Sequence, residues 1–188
     1  MLLLLRGSKL HFDTPISSSL FGAHTVLDSH GAASDLTWRA AAKDFAGFEV
    51  YAVKRKGNSR DAKFVLKSRS GVIDPVETSL IRDVYSGGKW NLAFRLKPTG
   101  EFGNTISGST NSYTAELFGV KAEGSEVKDE FLIKRTLTTA QGQRFNQYSK
   151  RLYIGANRIN FTGSTETLSD VQVSYLRHWL THLDNETI

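Results

Sequence analysis

Between Lys89 and Lys97 every second residue is a large apolar side chain. Trp90, Leu92, Phe94 and Leu96 fall on one side of an extended backbone, while Lys89, Asn91, Ala93, Arg95 and Lys97 fall on the other. A period of two predicts a half-buried antiparallel strand with one core face and one wet face. Weaker runs of the same kind occupy residues 9–13, 48–56, 63–69, 79–85, 113–122, 126–137, 151–160 and 171–180. With edge strands included, about ten to twelve strands are expected. Turn signals separate them: Lys56-Gly57-Asn58, Ser86-Gly87-Gly88, Glu123-Gly124-Ser125 and Ala140-Gln141-Gly142. The plausible helices are short, at residues 34–45 and from Asn185 onward. So many strands cannot hide their apolar faces in one open sheet, so the expected fold is all-β, a two-sheet antiparallel sandwich.

A chain of 188 residues suits one such domain, expected over residues 1–188. Cysteine is absent, which excludes disulfides and thiolate metal sites. The apolar opening Leu2 to Leu5 is interrupted by Arg6, Gly7 and Ser8, and no later run reaches the ~18 residues of a membrane span. A net charge of +5 is concentrated in Lys54, Arg55, Lys56 and Arg60, followed by Lys63, Lys67 and Arg69. Lys54, Arg55, Lys56 and Arg60 are candidates for binding a polyanion, against the alternative of a hairpin face solvated by cations. Nucleic acid is not the expected partner.

The last forty residues carry a more specific pattern. Lys150-Arg-Leu-Tyr-Ile-Gly-Ala-Asn-Arg-Ile-Asn-Phe-Thr-Gly163 is followed by Asp170-Val-Gln-Val-Ser-Tyr-Leu-Arg-His-Trp179 and Leu183-Asp-Asn-Glu-Thr-Ile188. In order, these resemble the closing signature of laminin-G-like domains of the concanavalin A-like jelly-roll superfamily. Gly88-Lys-Trp90-Asn-Leu-Ala-Phe94 resembles that family's mid-domain strand, and Phe48 to Val53 and Lys63 to Leu66 its earlier core strands. The tail departs from the pattern at Thr187, and the chain stops where such a domain ends, as a module of a longer protein would. The resemblance implies two curved sheets, one concave and one convex, with ligands taken at rim loops or on the concave face. It also implies that calcium is the cofactor to consider, and that an extracellular or virion setting is favoured. Most members bind, and a minority cut.

Catalytic patterns are weak. Glycosidases of this architecture use Glu-x-Asp-x-Glu on one strand face. Here Glu126-Val-Lys-Asp129-Glu130 sends Glu126 and Glu130 one way and Asp129 the other, with Lys128 between the glutamates. His178 and His182 stand four apart where a strand is expected, and neither a nucleophile elbow nor a phosphate loop occurs. No spaced acidic loop marks a metal among Asp28, Asp35, Asp74 and Asp83. Trp90 and Trp179 alternate with aliphatics and belong to the core, leaving Trp38, with Arg39, His30 and Asp35 nearby, as the aromatic candidate for stacking on a sugar. Asn160-Phe-Thr162 and Asn185-Glu-Thr187 match the N-glycosylation triplet. The expected function is a non-catalytic recognition module for a glycan or protein partner. The alternative is an assembly component of a virus or phage particle.

Overall fold

The computed structural model describes residues 2–10, 16–25, 47–68, 72–98, 113–147, 150–158, 164–179 and 183–186, with the backbone alone at 2–10, 25 and 147. The expected helix at 34–45 and the candidates His30, Asp35, Trp38 and Arg39 lie outside the described residues.

The chain runs β1 (Leu2–Leu10), β2 (Ser17–Thr25), β3 (Phe48–Lys54), β4 (Ala62–Lys67), β5 (Val76–Glu77), β6 (Lys89–Pro98), β7 (Tyr113–Glu123) and β8 (Glu126–Leu137). It continues through helix α1 (Thr139–Gln147), β9 (Lys150–Ile154), β10 (Asn157–Arg158), β11 (Thr165–Thr167), β12 (Val171–Gln172) and β13 (Tyr175–Trp179). The first sheet has the order β12-β1-β6-β7-β8, with β13 extending the β12 side of β1. The second has the order β5-β4-β3-β2-β9, and β10 and β11 pair separately. Every strand pair is antiparallel, as an all-β sandwich requires.

The two sheets meet through aromatic rings. Phe94 of β6 stacks on Phe48 of β3 with centroids 3.8 Å apart and planes 11° apart. Phe64 of β4 stacks on Phe131 of β8 at 4.8 Å and tilts against Trp90 at 5.1 Å. Leu92, Leu96, Ala115 and Leu117 of the first sheet and Val50, Ala52 and Leu66 of the second complete a continuous core. A second tie joins the sheets at their margin, where the buried Ser18 hydroxyl of β2 donates to the Asp170 carboxylate that precedes β12.

Several expectations are corrected. Residues 79–85 are not a strand: after β5 only a bridge from Ile81 to Ala62 forms. Asp83 takes a left-handed φ of 53°, with its N–H on Asp61 Oδ1, and this bends the chain so that Val84 and Tyr85 are both buried. The described part of the expected strand at 151–160 falls in two strands, broken where Gly155 adopts φ 85°. Ala140-Gln141-Gly142 is not a turn but the first part of α1. Thr138 and Gln141 form a reciprocal capping box: Gln141 N–H donates to Thr138 Oγ1 at 3.2 Å and Thr138 N–H to Gln141 Oε1 at 2.9 Å. Gly142 is tolerated there because the Tyr113 ring lies against it, where a Cβ would come within 2.1 Å. The non-core face of β6 is wet only toward its ends: Lys89 and Lys97 are exposed, whereas Ala93 and Arg95 are buried beneath Trp179 and Leu183.

Candidate functional site

A row of side chains crosses the outer face of the second sheet. Lys67 of β4 is opposite Glu49 of β3, Glu49 is opposite Gly22 of β2, and Gly22 is opposite Tyr153 of β9. Directly opposed residues share a face, so the four form one band. Glycine is required in it. A Cβ at Gly22 would sit 2.5 Å from Tyr153 Oη and 2.4 Å from the Phe48 carbonyl, so the phenol crosses the band only because β2 carries no side chain there. Two residues along β3, Tyr51 emerges on the same face.

The β10–β11 hairpin lies over this band. Asn157 is buried under it, with Nδ2 donating to Glu49 Oε1 at 3.2 Å. That bond turns the amide oxygen Oδ1 toward His24, 2.9 Å from Nε2, so His24 carries its proton on Nε2 and donates. The His24 ring packs 4.9 Å from the Tyr153 ring. Tyr51 donates from its hydroxyl to Glu49 Oε2 at 2.9 Å, and the Lys67 ammonium stands 3.9 Å from the same oxygen and 4.7 Å from the Tyr51 ring centre. Burial, reinforced by the Glu49 charge, pushes the Tyr51 phenol up from its ordinary range. Burial likewise drives Tyr153 upward, with Glu49 and Tyr51 adding to it. Both phenols therefore remain protonated at neutral pH.

Beside this network opens a cleft of about 240 Å³, lined by Glu49, Tyr51, Lys67, Asn157, Glu166 and Thr167. An ionised carboxylate can accept about four hydrogen bonds, and the Tyr51 hydroxyl and the Asn157 amide use two of those at Glu49. The Lys67 ammonium stands near one of its oxygens, and the capacity that is left faces the cleft. Lys67 adds a donor, and Asn157 and Thr167, which also hydrogen-bond Tyr51, line the cleft with Glu166, so donors and acceptors meet within one small volume. It is smaller than the roughly 300–1,000 Å³ of drug-sized sites, which limits the buried part of a ligand to one ring or residue.

Apart from Lys67, which belongs to the basic run, none of these residues stands out in the sequence. The alternation of Phe48, Val50 and Ala52 with Glu49 and Tyr51 is a readable signal that the last two share a face. Asn157 and Glu166 join them only through folding. Of the basic candidates, Lys54 is buried, its ammonium 4.4 Å from the Tyr85 ring centre. Arg55, Lys56 and Arg60 are exposed around the β3–β4 turn, which Ser59 N–H closes on the Lys56 carbonyl. Lys63 is paired with Glu77 at 2.5 Å.

Elsewhere, Glu126 is exposed and paired with Lys128. Asp74 is bound by Arg135 at 2.6 Å, and Asp28 and Asp35 lie outside the described residues. Among the described residues no three His, Cys, Asp or Glu side chains converge to hold a metal. His178 is exposed on β13, and His182 is outside the described residues. Lys150 is driven down to about 8 by burial, but its ammonium donates to the Phe145 carbonyl at the end of α1, which gives it a structural task. No helix of the described residues is long and apolar enough to cross a membrane. Compared with protein families, curated proteins and solved structures, the chain matches none.

Proposed function

We propose that the protein is a non-catalytic recognition module of laminin-G-like architecture, and that the cleft on the outer face of its second sheet takes one ring of a hydroxyl-rich glycan. The observation that carries this reading is Glu49: a buried carboxylate aimed by Tyr51 and Asn157, with spare acceptor capacity beside the Lys67 ammonium and the Thr167 hydroxyl. Neighbouring sugar hydroxyls each donate and accept, so a cleft that supplies both suits them better than it suits a purely anionic or apolar ligand. The architectural part rests on the signature running from Lys150 to Trp179, whose Tyr153-Ile154-Gly155 step ends β9 and turns the chain into β10.

A glycan array followed by calorimetry on the best ligand tests the proposal. Glu49→Gln removes the charge but keeps the shape, and is expected to weaken binding about 10- to 100-fold, the worth of one charge-assisted hydrogen bond. Retained affinity in Glu49→Gln, an empty array, or turnover of the bound glycan would each overturn it.

A second reading, assembly into a particle, is favoured by β13. This strand borders the first sheet, and among the described residues it pairs with β1 alone, while Tyr175 and Leu176 are 63% and 44% exposed. Unpaired strand edges with apolar side chains invite further strands. Mass photometry is expected to show multimers that Leu176→Lys disperses if this reading holds. A strictly monomeric native chain removes it.

A further inference from the structure

The outer face of the first sheet carries a different arrangement. Arg95 of β6, Glu116 of β7 and Lys134 of β8 are directly opposed in one row. Arg95 Nη2 is 2.9 Å from Glu116 Oε2, and Lys134 Nζ is 3.3 Å from Glu116 Oε1. The guanidinium is 2% exposed and packs 5.5 Å from the Phe118 ring centre. With Lys97 beside them, three cations of the sheet face a single carboxylate. The segment 183–186 crosses this face. The Leu183 side chain joins Trp179 on Ala93 and Phe118, and its carbonyl accepts from Arg95 Nη1 at 3.1 Å. Asp184 and Glu186 then bring the two negative charges that the sheet lacks, and Asp184 acts electrostatically on Arg95. Beyond Leu183 the segment is exposed, and a cleft of about 380 Å³ stays open beside it, with Leu132 on its wall.

We propose that this cationic face is a binding site for an acidic peptide, and that residues 183–186 are its resident occupant, displaced when an external segment of the same chemistry arrives. The recognised pattern is the one the strap presents: an apolar side chain over Ala93 and Phe118, a backbone carbonyl for Arg95, and carboxylates for Lys97 and Lys134. Arg95 supplies the specificity. Its guanidinium is fixed from below by Glu116, while its Nε is buried without a hydrogen-bond partner, so donor capacity remains at a position that a flexible lysine would not hold. The strap is suited to displacement because residues 184–186 are exposed, and ion pairs made by carboxylates in solvent are weak.

The test uses the full chain and a fluorescein-labelled peptide repeating residues 183–186, read by anisotropy. Asp184→Asn combined with Glu186→Gln weakens the internal competitor, so the peptide is expected to bind this variant about fivefold more tightly than the unaltered protein. Adding Lys97→Gln and Lys134→Gln, both at accessible cations, is expected to reverse that gain. A peptide with Asn and Gln in place of its acids is expected to bind about fivefold more weakly. Trp179 gives an independent readout, because it packs with Leu183 and its fluorescence is expected to change as peptide displaces the strap. Equal affinity in the altered and unaltered chains, no binding by the strap variant, or binding indifferent to the two lysine changes would each overturn the proposal.

Discussion

Phe94→Ala is expected to destabilise the fold by about 3–5 kcal/mol, the range for removing a buried aromatic ring from a packed core. Phe94 is fully buried, and it links three elements: it stacks on Phe48 of the opposite sheet at 3.8 Å and lies 5.7 Å from Phe145 of α1. Phe145 also reaches Phe48, at 6.2 Å, so the three rings form one unit where helix and sheets meet. Deleting the middle ring removes its transfer free energy and leaves a space that two sheets held by ladders cannot close. Urea unfolding followed by tryptophan fluorescence measures the loss as a lower midpoint at unchanged slope. Phe94→Leu keeps most of the volume and is expected to recover more than half of it. A loss below about 1 kcal/mol for the alanine variant would mean that the rings do not bear on stability as their geometry indicates.

The strands that carry this core were the most legible part of the sequence, for a physical reason. Along β4 burial alternates strictly with the pleat, and along β6 the amino-acid pattern alternates because one face meets the opposite sheet throughout, although from Leu92 to Leu96 the other face is buried too. β2 was not legible. Its buried stretch from Ser18 to His24 mixes serines with Leu20 and Phe21, and a bulge between Ser19 and Phe21 lets both of those apolar residues be buried although they are adjacent. Helix α1 was hidden by Gly142, whose usual meaning as a breaker prevailed over the Thr138-to-Gln141 capping signal.

The site was less legible than the fold because its residues come together only across the chain. The Asn157–Glu49 bond spans 108 residues, and no local period announces it. The same holds for Arg95. Alternation placed it correctly opposite the core, but its burial comes from segment 183–186, which returns over β6 from 88 residues away. A polar face in the sequence pattern specifies which way a side chain points and says nothing of what later covers it.

The covered face leads to the second large effect, at Glu116. Glu116→Gln is expected to destabilise the protein by about 3–5 kcal/mol, the cost of leaving a buried charge without its partner. The reasoning concerns Arg95 more than Glu116. Arg95 is 2% exposed, burial lowers its pKa, and Glu116 is the charge that offsets that burial most closely, at 2.9 Å. A neutral amide keeps the shape and one acceptor but not the charge, so the guanidinium stays desolvated with only Asp184 of the exposed strap to balance it. Lys134, 55% exposed, regains water and adds little to the loss. The surface pair Lys63–Glu77 supplies the control: Lys63→Gln is expected to cost less than about 1 kcal/mol. Combining Glu116→Leu with Arg95→Met removes both charges, and a double-mutant cycle is expected to return a coupling well above that of the surface pair, with the double variant more stable than Glu116→Gln alone. If Glu116→Gln instead unfolds at the native midpoint, Arg95 is reached by water, and the strap does not seal this face as its contacts indicate.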